Sequence, residues 1–259
     1  MTVVRKREEA AASVRARVSP AEWQVRVDLA ACYRLVAHSG WTDLVFTHIS
    51  ARVPGPDDHF LLNPFGFLFG EVTASSLVKI DLDGRKVDAS PHDIHPAGFV
   101  IHSAVHGARP DVNCVIHTHS VAGMAVSALE CGLLPLTQHA QLFHGRVAYH
   151  DFEGLANDVD ERQRLVRDLG DKPVMILRNH GLLVTGRTVP EAFSLLHHLE
   201  KACAAQLAAM ATGAKLVVPP EEVSAKTARQ ATAPDSPIGR KEWPGLLRML
   251  DRIDPSYRE

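Results

Sequence analysis

The residues best suited to chemistry are His117 and His119, in the run Asn113-Cys114-Val115-Ile116-His117-Thr118-His119-Ser120. Cys114, Val115 and Ile116 are apolar or β-branched, so the approach to the histidines reads as a buried strand, whose alternate side chains share a face. The two imidazoles therefore aim at one point. A second apolar run, Val174 to Leu177, leads to Arg178-Asn179-His180-Gly181 before Leu182-Leu183-Val184 resumes. A third imidazole at the end of another strand would complete a three-histidine set, the usual protein share of a catalytic zinc site with an open position. The competing reading is that, in a chain with 15 histidines, a His-x-His on a strand is polar decoration. Spacing alone leaves both standing.

The elements that must position these residues are legible in order. Residues 1–18 read as an N-terminal arm, a frayed helix or a disordered segment. Ser19-Pro20-Ala21-Glu22 marks a helix start, with Ser as N-cap, Pro at N1 and Glu closing a capping box, and the helix should stop at Gly40. Val45 to Val53 alternates as a half-buried strand, Pro54 to Asp58 forms a hairpin loop, and His59 to Asn63 returns as its partner. Leu77 to Leu82 is a further strand, ending in the Asp83-Gly84 turn. His95-Pro96 opens a helix that stacks Gly98, His102 and His106 on one face at intervals of four. Such a helix can bind metal, but packing beside the other histidines is the simpler role.

After His119 we expect an apolar helix over 122–129, short strands around Gln138-His139 and Val147 to Tyr149, turns at His144 and His150, and a charged helix over 158–169. The bend at Asn179-His180-Gly181 is assigned to its glycine. Thr188-Val189-Pro190-Glu191 is a second capping box, opening a long helix through Met210. The organisation is thus an arm (1–18), a main domain (19–213) and a C-terminal tail (214–259). The tail should wrap a neighbour or be loosely ordered, with a short helix near Trp243 to Ile253.

Composition narrows the function. At 259 residues and 46% hydrophobic, the chain can bury a large core. A formal charge of −2 leaves no basic footprint for nucleic acid. The four cysteines show no CxxC pairing and read as reduced core residues. No apolar run approaches a membrane span and no signal-peptide core opens the chain, so a soluble cytoplasmic protein is expected.

Taken together, Arg109-Pro110-Asp111-Val112 ahead of His117-Thr118-His119, the later Asn179-His180-Gly181-Leu182, and the Asn63-Pro64-Phe65-Gly66 turn ahead of Leu82-Asp83-Gly84 resemble the class II aldolase and adducin head-domain family. The blocks Gly98 to His106 and Ala128 to Pro135 look closest to its bacterial adducin-like branch. The resemblance covers roughly residues 22–212. It implies a three-layer α/β/α sandwich around a mixed central β-sheet, usually assembled as a homotetramer with sites between subunits. It also implies that His117, His119 and His180 hold a divalent metal, zinc first, with iron or manganese as alternatives. In the family's aldolases that metal takes the charge developing on a hydroxy-ketone as a C–C bond breaks.

The departures from the family pattern shape the expected reaction. Where its aldolases carry an acid/base Glu, this chain has Gly98, and two phosphate-holding serines become Pro96 and Ala97. Thr47-His48 stands for a Gly-Asn pair of the phosphate loop. A residue without a side chain transfers no proton. Substitute acid/base groups are His102, His106, His48 and His139, the last where the aldolases tend to carry a tyrosine. Gly98 should leave room for a bulkier substrate or a second exogenous ligand, and the loop from Asn63 through Gly66 to Gly70 should shape specificity. The expected function is a metal-dependent lyase, retro-aldol or decarboxylase, acting on a small unphosphorylated hydroxy- or keto-acid. The alternatives are a non-catalytic adducin-like oligomerisation module and an iron-dependent oxygenase using the open coordination positions.

Overall fold

A computed structural model describes residues 12–55, 58–154, 160–233 and 238–259. Positions 1–11 of the expected arm, two positions of the first hairpin loop and the start of the charged helix fall outside them. Residues 12–17 are helical and lead into α1 (Pro20–His38). Seven strands follow: β1 (His48–Arg52), β2 (Phe60–Leu62), β3 (Val78–Ile80), β4 (Cys114–Thr118), β5 (Val147–His150), β6 (Val174–Leu177) and β7 (Gly181–Gly186). They form one mixed sheet in the order β3-β2-β1-β4-β7-β6-β5, antiparallel except for the β5–β6 pair. The other helices are α2 (Pro96–Ala108), α3 (Val121–Ser127), α4 (Gln138–Gln141), α5 (Glu161–Leu169), α6 (Val189–Ala211), α7 (Glu221–Ala231) and α8 (Trp243–Ile253).

Side-chain alternation divides the sheet into two apolar faces. Ile49, Ala51, Cys114, Ile116, Leu182 and Val184 pack with α1 and α6, while Val115, Met175 and Leu183 pack with Ile101 and Val105 of α2 and Leu165 and Leu169 of α5. The result is an α/β/α sandwich. Its polar consequence is that His48 and Ser50 on β1 and His117 on β4 project to the α2 side, since His48 and Ser50 alternate with Ile49 and Ala51 of the other face and His117 is two residues from Val115. Cross-strand register then sets His48 directly opposite His117.

Several local expectations change. Ser19 and Thr188 do cap their helices, accepting the N–H of Glu22 and Glu191 at 3.1 and 3.2 Å. The returning half of each capping box is absent, because the carboxylates have charged partners. Glu22 takes Arg26 and Lys79, and Glu191 takes Arg187. Glu191 also accepts the Arg187 backbone N–H at 2.9 Å, one residue before the cap. Gln138-His139 lies in the short helix α4, not a strand, because Thr137 accepts the Ala140 N–H at 3.2 Å and turns the chain. His150 ends β5 and is not in a turn. The tail packs on its own chain: Trp243 donates to Asp28 at 3.0 Å, Arg34 pairs with Asp254 at 2.9 Å, and Trp243, Leu250 and Tyr257 are buried.

Candidate functional site

The β6–β7 connection is a three-residue hairpin, Arg178-Asn179-His180, closed by the His180 N–H donating to the Leu177 carbonyl at 3.1 Å. Its left-handed residue is Asn179 (φ 55°), not the glycine to which the bend was assigned. Gly181 has a different task. A Cβ there would lie 2.4 Å from the Thr118 carbonyl oxygen, so the missing side chain lets β7 approach β4 where the histidines emerge.

That approach gathers the trio. Ring centroids lie 4.6 Å (His117 to His119), 4.8 Å (His117 to His180) and 4.8 Å (His119 to His180) apart. One nitrogen from each ring lies within 4.8 Å of the others. The tautomers follow from the partners. His117 Nδ1 faces the Leu182 carbonyl at 2.9 Å and His119 Nδ1 faces the Asp43 carboxylate at 2.9 Å. Both partners only accept, so both Nδ1 atoms carry the hydrogen and, in the neutral rings, both Nε2 atoms present lone pairs. Those two atoms are 2.8 Å apart. Two lone pairs facing at that distance repel unless a positive centre lies between them. Burial, with the neighbouring His180, His48 and His119 adding, holds His117 well below the ordinary histidine value, and burial takes His180 down to about 4. An added proton on His117 or His180 is therefore disfavoured, and the donor set suits a divalent cation.

A second array of buried imidazoles adjoins the first. The ring of His48 is 5.0 Å from that of His117. His48 Nδ1 meets His102 Nε2 at 2.8 Å, His102 Nδ1 meets Ser50 Oγ at 2.5 Å, and Ser50 Oγ meets His106 Nε2 at 2.8 Å. Burial dominates their titration: His48 and His102 sit well below the usual value, and His106 is taken down to about 3 with Arg52 adding to the effect. Gly98 does not open the room expected of it. A Cβ at Gly98 would lie 2.9 Å from His48 Cδ2, so the imidazole of residue 48 already fills that space.

The remaining expected residues divide. Asn63 is buried and its carboxamide oxygen accepts from the Tyr33 hydroxyl at 2.9 Å, pinning the turn to α1. Gly66 (φ 91°) faces open space. Phe65 and Phe46 stand edge-on to His95, at 4.6 and 6.4 Å between ring centroids, and both are exposed. His139 stacks on His198 of α6 at 5.3 Å and makes no ring contact with the trio among the described residues.

Three further residues belong here. Asp43 orients His119 from a loop without periodicity, so no spacing marked it. Ser50 shares the alternation of His48 and could have been read from it. Glu200 of α6 accepts from Ser120 Oγ at 2.7 Å and Thr118 Oγ1 at 3.3 Å, and burial lifts its carboxyl to about 7. Its carboxylate inside the apolar stripe Leu196, Leu199, Cys203 was a visible anomaly.

Comparison with known proteins agrees with this architecture. Residues 27–207 match the family model described as the class II aldolase and adducin N-terminal domain. The chain belongs to that family. The crystal structure of an aldolase II superfamily protein from Pseudomonas syringae is 57% identical, with a TM-score of 0.91 over 95% of this chain and all of that one. An L-fuculose 1-phosphate aldolase from Glaciozyma antarctica is 30% identical, with a TM-score of 0.82, covering 92% of this chain and 93% of its own. Rat α-adducin is 43% identical over 244 residues, which take in 88% of this chain and 33% of the adducin. Within the family the chain falls with the bacterial adducin-like proteins.

Proposed function

We propose that this protein is a metal-dependent lyase of class II aldolase type. It would cleave or decarboxylate a small, unphosphorylated hydroxy- or keto-acid. The observation that carries the reading is the pair of Nε2 lone pairs of His117 and His119 aimed at each other at 2.8 Å, with His180 completing the set. These three imidazoles would hold the divalent ion, zinc in the first instance. When bound, such an ion supplies a Lewis acid for the negative charge that builds on a carbonyl oxygen as the adjacent C–C bond breaks.

The chain's own residues supply the proton transfers. His48 stands over Gly98, where the family's aldolases carry their Glu, and is the acid/base group of this reading. Ser50 has a single hydroxyl hydrogen, so it donates to one of His102 and His106 and accepts from the other. With all rings neutral, the row His48-His102-Ser50-His106 has two hydrogen-bonded arrangements. One leaves His48 Nε2 bare, ready to take a proton; the other places a hydrogen there, ready to give one. Thr47-His48 and Pro96-Ala97, in place of the family's phosphate-holding residues, favour an unphosphorylated substrate.

The reading extends to a homotetramer in the cytoplasm. The cytoplasmic placement is supported by the four free cysteines, three of them buried. The test is turnover of 2-hydroxy and 2-keto acids by the metal-loaded protein. We expect activity that a chelator removes, and that His48→Gln lowers by about 10²- to 10⁴-fold, the usual share of a general acid/base. A second reading, a non-catalytic oligomeric module, is favoured by the identity to α-adducin. It predicts an assembled protein without turnover, whereas oxygen uptake with ferrous iron would indicate an oxygenase.

A further inference from the structure

The end of the β4–β7 pair remote from the imidazole trio borders a cavity of about 630 Å³. That volume lies within the range of small-molecule sites, roughly 300–1,000 Å³. Three carboxylates in its wall are each matched by a cation. Arg109 clasps Asp111 with bonds of 2.8 and 2.7 Å, Lys172 meets Asp171 at 3.3 Å, and Arg187 meets Glu191 at 2.9 Å. Arg146 is different. This half-buried guanidinium donates from Nη1 to the Leu142 carbonyl at 3.2 Å and forms no ion pair among the described residues. Asp171 and Glu191 act on it only at longer range. A guanidinium offers five N–H donors in a planar fork. A half-buried charge left with so few partners favours an anion. Arg240 also lines the cavity, and the 23-residue helix α6 begins at its wall with Thr188, adding the positive end of its dipole. Leu142, Leu195 and Ile238 supply an apolar wall.

We propose that this cavity is a second ligand site, which takes a small organic anion. A carboxylate or phosphate would lie on Arg146, and an apolar body against Leu142, Leu195 and Ile238. The site shares no residue with the imidazole trio and stands whatever reaction that trio performs.

The test is calorimetric titration of the full-length protein with phenylacetate, phenyl phosphate and neutral phenylacetamide, which share an apolar body. At least one anion should bind saturably with a dissociation constant of about 1 mM or tighter, at least tenfold tighter than the amide; the stronger of the two identifies the headgroup. Arg146→Gln should weaken that binding at least tenfold, while His119→Ala leaves it unchanged. Should Arg146→Gln fail to fold, Arg146→Lys keeps the charge but loses the fork, and is expected to weaken binding severalfold. Anions binding no better than the amide, unchanged affinity in the Arg146 variants, or loss of binding in His119→Ala would each overturn the proposal.

Discussion

Asp43 shows how much of this site rests on a residue outside any motif. Its carboxylate fixes the His119 tautomer from the opposite side of the ring, at 2.9 Å. Outer partners of this kind change metal affinity by about 10- to 100-fold when removed. Asp43→Asn should therefore weaken zinc binding by that order in a competition assay with a chromogenic chelator, while leaving the fold intact; an unchanged affinity would remove Asp43 from the site. Gly98 is held bare by the ring of His48. A methyl at Gly98 would meet His48 Cδ2 at 2.9 Å and Cγ at 3.0 Å, so Gly98→Ala must displace the ring. We expect a loss of about 1–3 kcal/mol in urea unfolding, the usual cost of overpacking. Wild-type stability in that variant would mean that the imidazole yields freely. The motif histidines were legible because strand alternation fixes where side chains point. Asp43 was not, because an aperiodic loop carries no such rule.

The sheet and helices decide which polar groups are buried together. β1 and α2 enclose His48, His102, Ser50 and His106, each between 0 and 2% exposed, and that burial has a pH signature. Burial holds His106 at about 3 and, with neighbouring charge, His180 at about 4. In the unfolded chain each binds a proton near pH 6.5. As pH falls below that value the unfolded state takes up protons that the folded state refuses, so stability is present above about 6.5 and is lost on acidification. For a fully buried imidazole the loss by pH 5 is about 2 kcal/mol. Urea midpoints of the metal-free protein should therefore drop between pH 7 and 5, and His106→Gln should make the drop shallower. A midpoint independent of pH over that interval would contradict the buried, neutral assignment. Most elements were visible in the sequence, since apolar periodicity and caps such as Ser19 and Thr188 mark them directly. The strand expected at Gln138-His139 was not found, because the hydroxyl of Thr137, one residue upstream, turns the chain into α4. Glu22 and Glu191 each stand four residues from Arg26 and Arg187, a helix-spaced pairing that competes with the capping box in the sequence itself; only the Lys79 partner of Glu22, from another element, leaves no period.

The sandwich brings two distant segments to one corner of the sheet, where β4 ends and β7 begins. Sequence pattern could place each segment at the end of a strand, but only the β4–β7 pairing and the bare Gly181 bring His180 to the other two rings. The short helix of the tail was legible at Trp243–Ile253, but its docking on α1 was not, for a related reason. Trp243, Leu250 and Tyr257 are sparse among polar residues, and their burial becomes evident only once α1 offers Asp28 and Arg34 as partners. A cation among His117, His119 and His180 is what the proposed chemistry requires. Elemental analysis of the protein, purified without chelator and reloaded with zinc, measures it directly. We predict close to one zinc per chain in the wild type and a loss of at least tenfold in occupancy in a folded His119→Ala variant. A wild-type protein that retains no divalent metal, or a His119→Ala variant that retains it fully, would contradict the account.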